Sequence, residues 1–254
     1  MSALILRLAG PLQSWGERSV FGTRDTASFP TRSGLIGMFA SAEGRARTAL
    51  LHRYAELGLT VRVDRPGTRL IDFHTVGGGL PAANTVPTSE GGRRQADAAT
   101  LVSRRHYLAD AVFTVAVTGP TPLLDEITDA LEHPTWAPYL GRRSCVPDEP
   151  LLLRAAVDDP EDELRYAVPL SLARPPAPGR STIAVEFIYE NPPADQTSQA
   201  QLYEITDIPE SFAPRTRQYS SRRLWRTVEQ LPAGLYVGPQ PADRLIDYAL
   251  KQDA

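Results

Sequence analysis

Lysine is almost missing from this chain of 254 residues: 26 of its 27 basic residues are Arg, and the one Lys is Lys251. That absence removes a Walker A lysine, a Schiff-base lysine and a Ser-x-x-Lys nucleophile pair. Cysteine is equally scarce. Cys145 stands alone, so no intrachain disulfide and no Cys-based zinc site can form. The four histidines (His52, His74, His106, His133) are far apart and make no His-Glu-x-x-His motif. There is no G-x-S-x-G elbow, and Gly77-Gly78-Gly79 fails the dinucleotide fingerprint because Ala82 holds the last glycine position. Most metal and cofactor chemistries drop out, and no cofactor is expected. Long apolar runs are missing too: Ala3 to Ala9 is too short for a signal or a membrane span and contains Arg7. A single free thiol and no targeting segment point to the cytoplasm.

What remains is ordinary globular composition, 42% hydrophobic and 22% charged, with net charge −3. That average hides an asymmetry. Residues 1–143 carry 16 basic and 13 acidic residues, a net +3, whereas 144–254 carry 11 and 17, a net −6. A GC-rich genome explains an Arg excess as readily as a functional need for guanidinium forks, so placement has to separate the two.

The hydrophobic pattern gives a strand at 3–9, a helix opening at Pro30-Thr31-Arg32-Ser33, a second helical stretch at 48–57 and a strand at 59–63. A further strand signal at 70–76 leads into an exposed, glycine-rich insertion at 77–103. Then come a strand at 111–117, a helix from Thr121 with Asp125 and Glu126 in its first turn, and a strand at 151–157. The order β-α-β-(insertion)-β-α-β predicts an α+β fold of the split-βαβ, ferredoxin-like or RRM-like type. Beyond 158 the chain reads as a smaller, mainly β part: a strand at 183–189, a weaker one at 201–205 and a short amphipathic helix at 241–250. Domains are therefore expected at 1–157 and 158–254.

Four loops mix arginine with aromatics: 10–32, 103–107, 135–147 and 211–226, the last with five Arg and no acid. Arginine forks for phosphate beside aromatic rings for bases is the pattern of single-stranded RNA recognition. Solvated arginines beside aromatics that anchor the loops would look the same one cluster at a time.

Three motifs carry a resemblance: Leu6-Arg-Leu-Ala-Gly-Pro-Leu-Gln-Ser-Trp-Gly16, Phe29-Pro-Thr-Arg-Ser-Gly-Leu-Ile-Gly37 and Tyr139-Leu-Gly-Arg-Arg-Ser-Cys145. Asp72-Phe-His-Thr-Val76, Tyr107-Leu-Ala-Asp110 and Ser221-Arg222 fit the same pattern. The chain so resembles, from residue 3 to about 225, the CasD family of RAMP-type subunits in the type I-E CRISPR surveillance complex, Cascade. The resemblance implies an RRM-like domain with a β-hairpin thumb around 77–103 and a non-catalytic role, holding the 5′ handle of the guide RNA (crRNA) and capping one end of the complex. Its partners would be the crRNA, the helical-backbone subunit and the large PAM-recognising subunit. By motif position, Gln13, Trp15, Arg18, Arg24 and Arg32 would line the handle path, with Arg104, Tyr107, Arg142, Arg143 and Arg222 near it. Ser14 or Ser33 would donate to phosphate, and the first helix would offer its N-terminal amides to an anion. The competing reading is a metal-independent endoribonuclease acting on CRISPR repeat RNA, with His106 as acid or base between Arg105 and Tyr107.

Overall fold

Strand β1 (Ala3–Ala9) fills the predicted span and is buried along its whole length. The structure is a computed structural model that describes residues 2–17, 19–20, 22–88, 90–192, 200–214, 216–238 and 242–250. Short strands β2 (Leu12–Gln13), β3 (Ser19–Val20) and β4 (Thr23–Arg24) follow. Thr31 then caps helix α1 (Arg32–Ala42) by accepting the Gly34 amide.

The helix expected at 48–57 shrinks to one 3-10 turn, His52–Tyr54. The carbonyls of Tyr54, Ala55 and Leu57 at its end accept from the Arg32 guanidinium at 2.8–3.2 Å, as the free carbonyls at the end of a helix or turn do.

Strands β5 (Gly58–Arg65), β6 (Thr68–Val76), β7 (Leu101–Ala109) and β8 (Val112–Thr118) come next, then helix α2 (Thr121–Glu132) and β9 (Leu152–Val157). Pro120 is the N-cap of α2, so Asp125 and Glu126 fall in its second turn and not its first. The helix α3 (Pro160–Asp162) runs into a π-turn, Glu163–Ala167. Strands β10 (Thr182–Tyr189), β11 (Gln201–Ser211) and β12 (Gln218–Pro232), then helix α4 (Ala242–Leu250), complete the order.

Seven strands form one antiparallel sheet in the order β11-β12-β10-β5-β8-β1-β9. Alternation along β1 divides two cores: Leu4, Leu6 and Leu8 pack with the helices α1 and α2, while Ala3 and Ile5 join Leu164, Phe187 and Leu245 on the opposite face. Strand β10 pairs with β5, so the chain after residue 158 extends the same sheet. A second sheet, β2-β7-β4-β3, has β6 paired along β7 from Thr68↔Ala109 to Val76↔Leu101. Residues 101–103, expected in the insertion, thus belong to a strand, and 77–100 form the tip of a hairpin.

The arginine-rich 211–226 stretch is mostly strand, not loop. Its pattern is hidden because the buried positions beyond Trp225 include Thr227 and Glu229 while Val228 faces outward.

A buried charge cluster fastens this extension to the rest. Asp207 accepts the Arg32 backbone N–H at 2.6 Å and a bidentate pair from Arg222, including Nη2 at 2.8 Å. Glu190 takes Arg32 Nη1 at 2.8 Å, Arg222 Nη1 and the Leu59 amide. Removing one partner leaves buried charges uncompensated, so Asp207→Ala is expected to lower unfolding free energy by about 3–5 kcal/mol. Urea denaturation measures this; a loss below about 1 kcal/mol would show that the cluster contributes little.

Candidate nucleic-acid interface

The residues before α1 turn inward. Gln13 is fully buried: its side-chain amide donates to the carbonyls of Leu8 and Ala111 at 2.9 and 2.8 Å, and its Oε1 accepts the Trp15 indole N–H at 2.9 Å. Trp15 is also fully buried, with its ring against Gly34, where a Cβ would lie 2.7 Å from ring carbon. Gly141, at φ +80°, lets the 139–145 loop close over this unit; a Cβ there would sit 1.8 Å from the Ser14 carbonyl. Ser14 Oγ donates to the His106 carbonyl. Gln13, Ser14 and Trp15, expected on an RNA path, therefore lock loops together and are buried in this structure.

Arg32 and Arg222, expected along or near the same path, are also engaged within the chain. Both guanidinium groups are engaged in the Asp207–Glu190 cluster. The amide end of α1 is occupied by a carboxylate of the chain itself, Asp207, so it is closed to a phosphate there. Ser33 is half-buried and its Oγ lies 3.4 Å from Thr31 Oγ1. Arg18 lies outside the described residues. In the 211–226 stretch, Arg226 pairs with Glu186, and Arg223 lies opposite Glu204 in the β11–β12 register.

A different group of arginines does meet at one place. Parallel pairing of β4 with β7 sets Arg24 beside Arg105. Tyr107 follows two residues on, on the same face of β7. The Arg142 guanidinium lies over the Tyr107 ring at 4.6 Å and donates to the Arg24 carbonyl at 3.0 Å. Arg142 Nη1 has no hydrogen-bond partner among the described residues. Arg143 is exposed next to it. None of Arg24, Arg105, Arg142 and Arg143 forms an ion pair among the described residues, in contrast to Arg32 and Arg222. Asp72 lies opposite Arg105 in the β6–β7 register without an ion pair to it, and arginine forks gathered in this way suit a polyanion. Arg105 had been weighed only as a helper to His106; β7 register is the signal that adds it.

Arg104 is separated from this group. It points to the other face of β7, where its guanidinium stacks on Phe73 at 5.4 Å, and Ile71, Phe73 and Val102 are exposed. His106 shares that second face. Strand alternation thus places Arg105 and Tyr107 on one side of the sheet and His106 on the other, and the three cannot converge on one phosphate. Burial pushes the Cys145 thiol upward, as expected of a small hydrophobe. Among the described residues there is no cluster of three His, Cys, Asp or Glu suited to a metal, and no helix long and apolar enough to cross a membrane.

The sequence pattern of the family described as "CRISPR-associated protein (Cas_Cas5)" matches residues 3–224. The "CRISPR system Cascade subunit CasD" of Escherichia coli (strain K12) is 39% identical over 178 residues, which is 64% of this chain and 75% of that protein. A solved chain described as "CRISPR RNA-guided surveillance complex" superposes with a TM-score of 0.87 at 51% identity, covering 98% of this chain and 99% of that one. Another, "Crystal structure of Cas protein", gives a TM-score of 0.59 at 29% identity over 94% of this chain and 100% of that one.

The inward role of Trp15 is testable. Trp15→Phe keeps the ring and removes the indole N–H, leaving Gln13 Oε1 buried without its donor. Stability is expected to fall by about 1–3 kcal/mol in urea titration; an unchanged midpoint would contradict a structural role for this pair.

Proposed function

The chain belongs to the CRISPR-associated Cas5 family, and from that membership we propose that it is a non-catalytic guide-RNA-binding and assembly subunit of a type I-E surveillance complex, Cascade. In this reading it works in the cytoplasm, holds the 5′ handle of the crRNA and caps one end of the assembly. Its protein partners are the backbone subunit and the large PAM-recognising subunit. The observation that carries the RNA contact is the cluster of Arg24, Arg105, Arg142 and Arg143 around Tyr107, none of them ion-paired among the described residues although Asp72 lies opposite Arg105 in the β6–β7 register.

The unit β1–α1–β5–β8–α2–β9 is read as RRM-like, or ferredoxin-like. Strand order β9-β1-β8-β5 with antiparallel neighbours supports that reading, because each helix then crosses over one intervening strand. The β6–β7 hairpin is read as the thumb and the boundary near 157/158 as a division of labour: RNA on the first part, protein neighbours on the more acidic second part.

Within the cluster each residue has a distinct task. Arg142 and Arg143 present planar forks to successive phosphates. Tyr107 is covered by Arg142 and so orients that guanidinium, leaving base stacking to other rings. Arg24 and Arg105 add positive charge along the strand register. The same register speaks against the endoribonuclease reading, since His106 lacks both expected helpers on its face.

Arg142→Glu combined with Arg143→Glu is expected to abolish guide-RNA retention in the purified complex, measured as RNA per assembled complex. Normal retention would refute this site. The single variant Arg143→Gln is expected to weaken RNA binding by a similar factor across handle sequences. It should also reduce the slope of log K against log salt by about one unit, as loss of one phosphate contact does.

A further inference from the structure

Arginine in the middle of a fully buried strand is unexpected, and Arg7 is only 7% exposed. It lies on the sheet face opposite α1 and α2, in the row Arg7↔Thr114↔Arg62. The other cations of that region have acidic partners, although Nε of Arg65 and of Arg154 is likewise buried without a hydrogen-bond partner. Arg62 is bidentate to Asp64 at 2.7 and 3.0 Å and donates to the carbonyls of Leu164, Val168 and Pro169. Arg65 pairs with Asp110 at 2.5 Å. Asp64 cannot serve a second cation well, because Thr114 and the Ser171 amide also donate to its Oδ2.

Arg7 is left over. Its Nε is buried with no hydrogen-bond partner, and its guanidinium forms no ion pair among the described residues. Asp148 and Asp64 attract it only from a distance, Arg65 opposes it, and burial pushes its pKa down. Ser171 Oγ, beside Asp64, is likewise buried without a partner. A buried, unmatched guanidinium is costly, and one bidentate oxyanion would relieve it.

We propose that Arg7 anchors a receptor for a single carboxylate, the Asp or Glu side chain of a protein subunit that docks on this face. A carboxylate fits better than a nucleic-acid backbone because two acids already act on the fork: Asp148, whose amide donates to the Ala9 carbonyl on the same strand, and Asp64. A phosphodiester chain would bring several negative charges among them, whereas one side chain brings one. That the source is a protein subunit rests on the function proposed above; the receptor itself does not.

The isolated full chain is melted in sodium acetate and in sodium chloride at matched ionic strength. Acetate is expected to raise the melting temperature of the wild type by about 1–2 °C more than that of Arg7→Gln. Equal effects on the two would overturn the receptor, and protection by dimethyl phosphate but not acetate would overturn the carboxylate. In chloride, Arg7→Gln is expected to melt at or above the wild-type temperature, since it removes a buried charge no side chain pairs. A clear fall would make Arg7 a structural residue and end the proposal.

In reconstituted complex, wild-type chain is expected to outcompete Arg7→Gln at least tenfold for incorporation, with RNA per complex unchanged. Equal incorporation would overturn the protein source. Should the wild-type chain itself not enter the complex, the function proposed above is what fails, and the acetate comparison still decides the receptor.

Discussion

One carboxylate, Asp207, is the point from which much of the structure is organised. It holds the first amide of α1 and, through Arg222, the two outermost strands of the large sheet. Glu190 closes the cluster onto β5 through the Leu59 amide, and Arg32 reaches on to the turn at 54–57. A buried network of this kind is weak evidence for net stability, because desolvation opposes the attraction. What it does supply is register. Two arginines and two acids far apart in sequence satisfy one another in one arrangement only, so the extension cannot slide along β5 without leaving charges exposed to apolar surroundings.

That constraint also decides what the arginines are for. Those buried in the frame, Arg32, Arg62 and Arg222, are matched by Asp64, Glu190 and Asp207 and are neutral in sum with them. Those at the junction of β4, β7 and the 139–145 loop form no ion pair among the described residues, although Asp72 lies opposite Arg105. The net charge of −3 therefore says little about partners: acids such as Glu163, Glu186, Asp207 and Glu229 in the second part pair with arginines of that part, and unpaired arginines gather where β4 and β7 meet. The buried frame keeps this junction rigid, since Gln13 and Trp15 hold the loop on which Arg142 stands.

Much of the fold was legible in the sequence. β1, β8 and α2 announce themselves because their apolar residues recur at the period of the element and their neighbours do not compete. β12 was not legible: it buries Thr227 and Glu229 and exposes Val228, so hydrophobic alternation is inverted where Glu229 is held by Arg165 and Tyr189. The helix expected at 48–57 is a single turn at His52–Tyr54, and its apolar spacing did not show that the carbonyls at 54–57 are held by the distant Arg32. The candidate site was legible only in part. The 139–145 loop and Arg24 could be found from residue type, but Arg32 and Arg142 look alike in sequence, each followed closely by Ser and flanked by Gly within two residues. Pairing partners more than a hundred residues away separate them. The burial of Gln13 and Trp15 was not legible for the opposite reason: two residues two apart can satisfy each other's polar groups within the core.

The division of arginines into buried frame and open junction is the central claim, and residue-resolved guanidinium modification tests it most directly. The chain is treated with phenylglyoxal alone and within the RNA-loaded complex, and each arginine is scored by mass spectrometry. Arg142 and Arg143 should react in the free chain and be protected by RNA, while Arg32, Arg62 and Arg222 should be unreactive in both states. Reactive Arg32 or Arg222 in the folded free chain, or Arg142 and Arg143 equally reactive with and without RNA, would contradict the account.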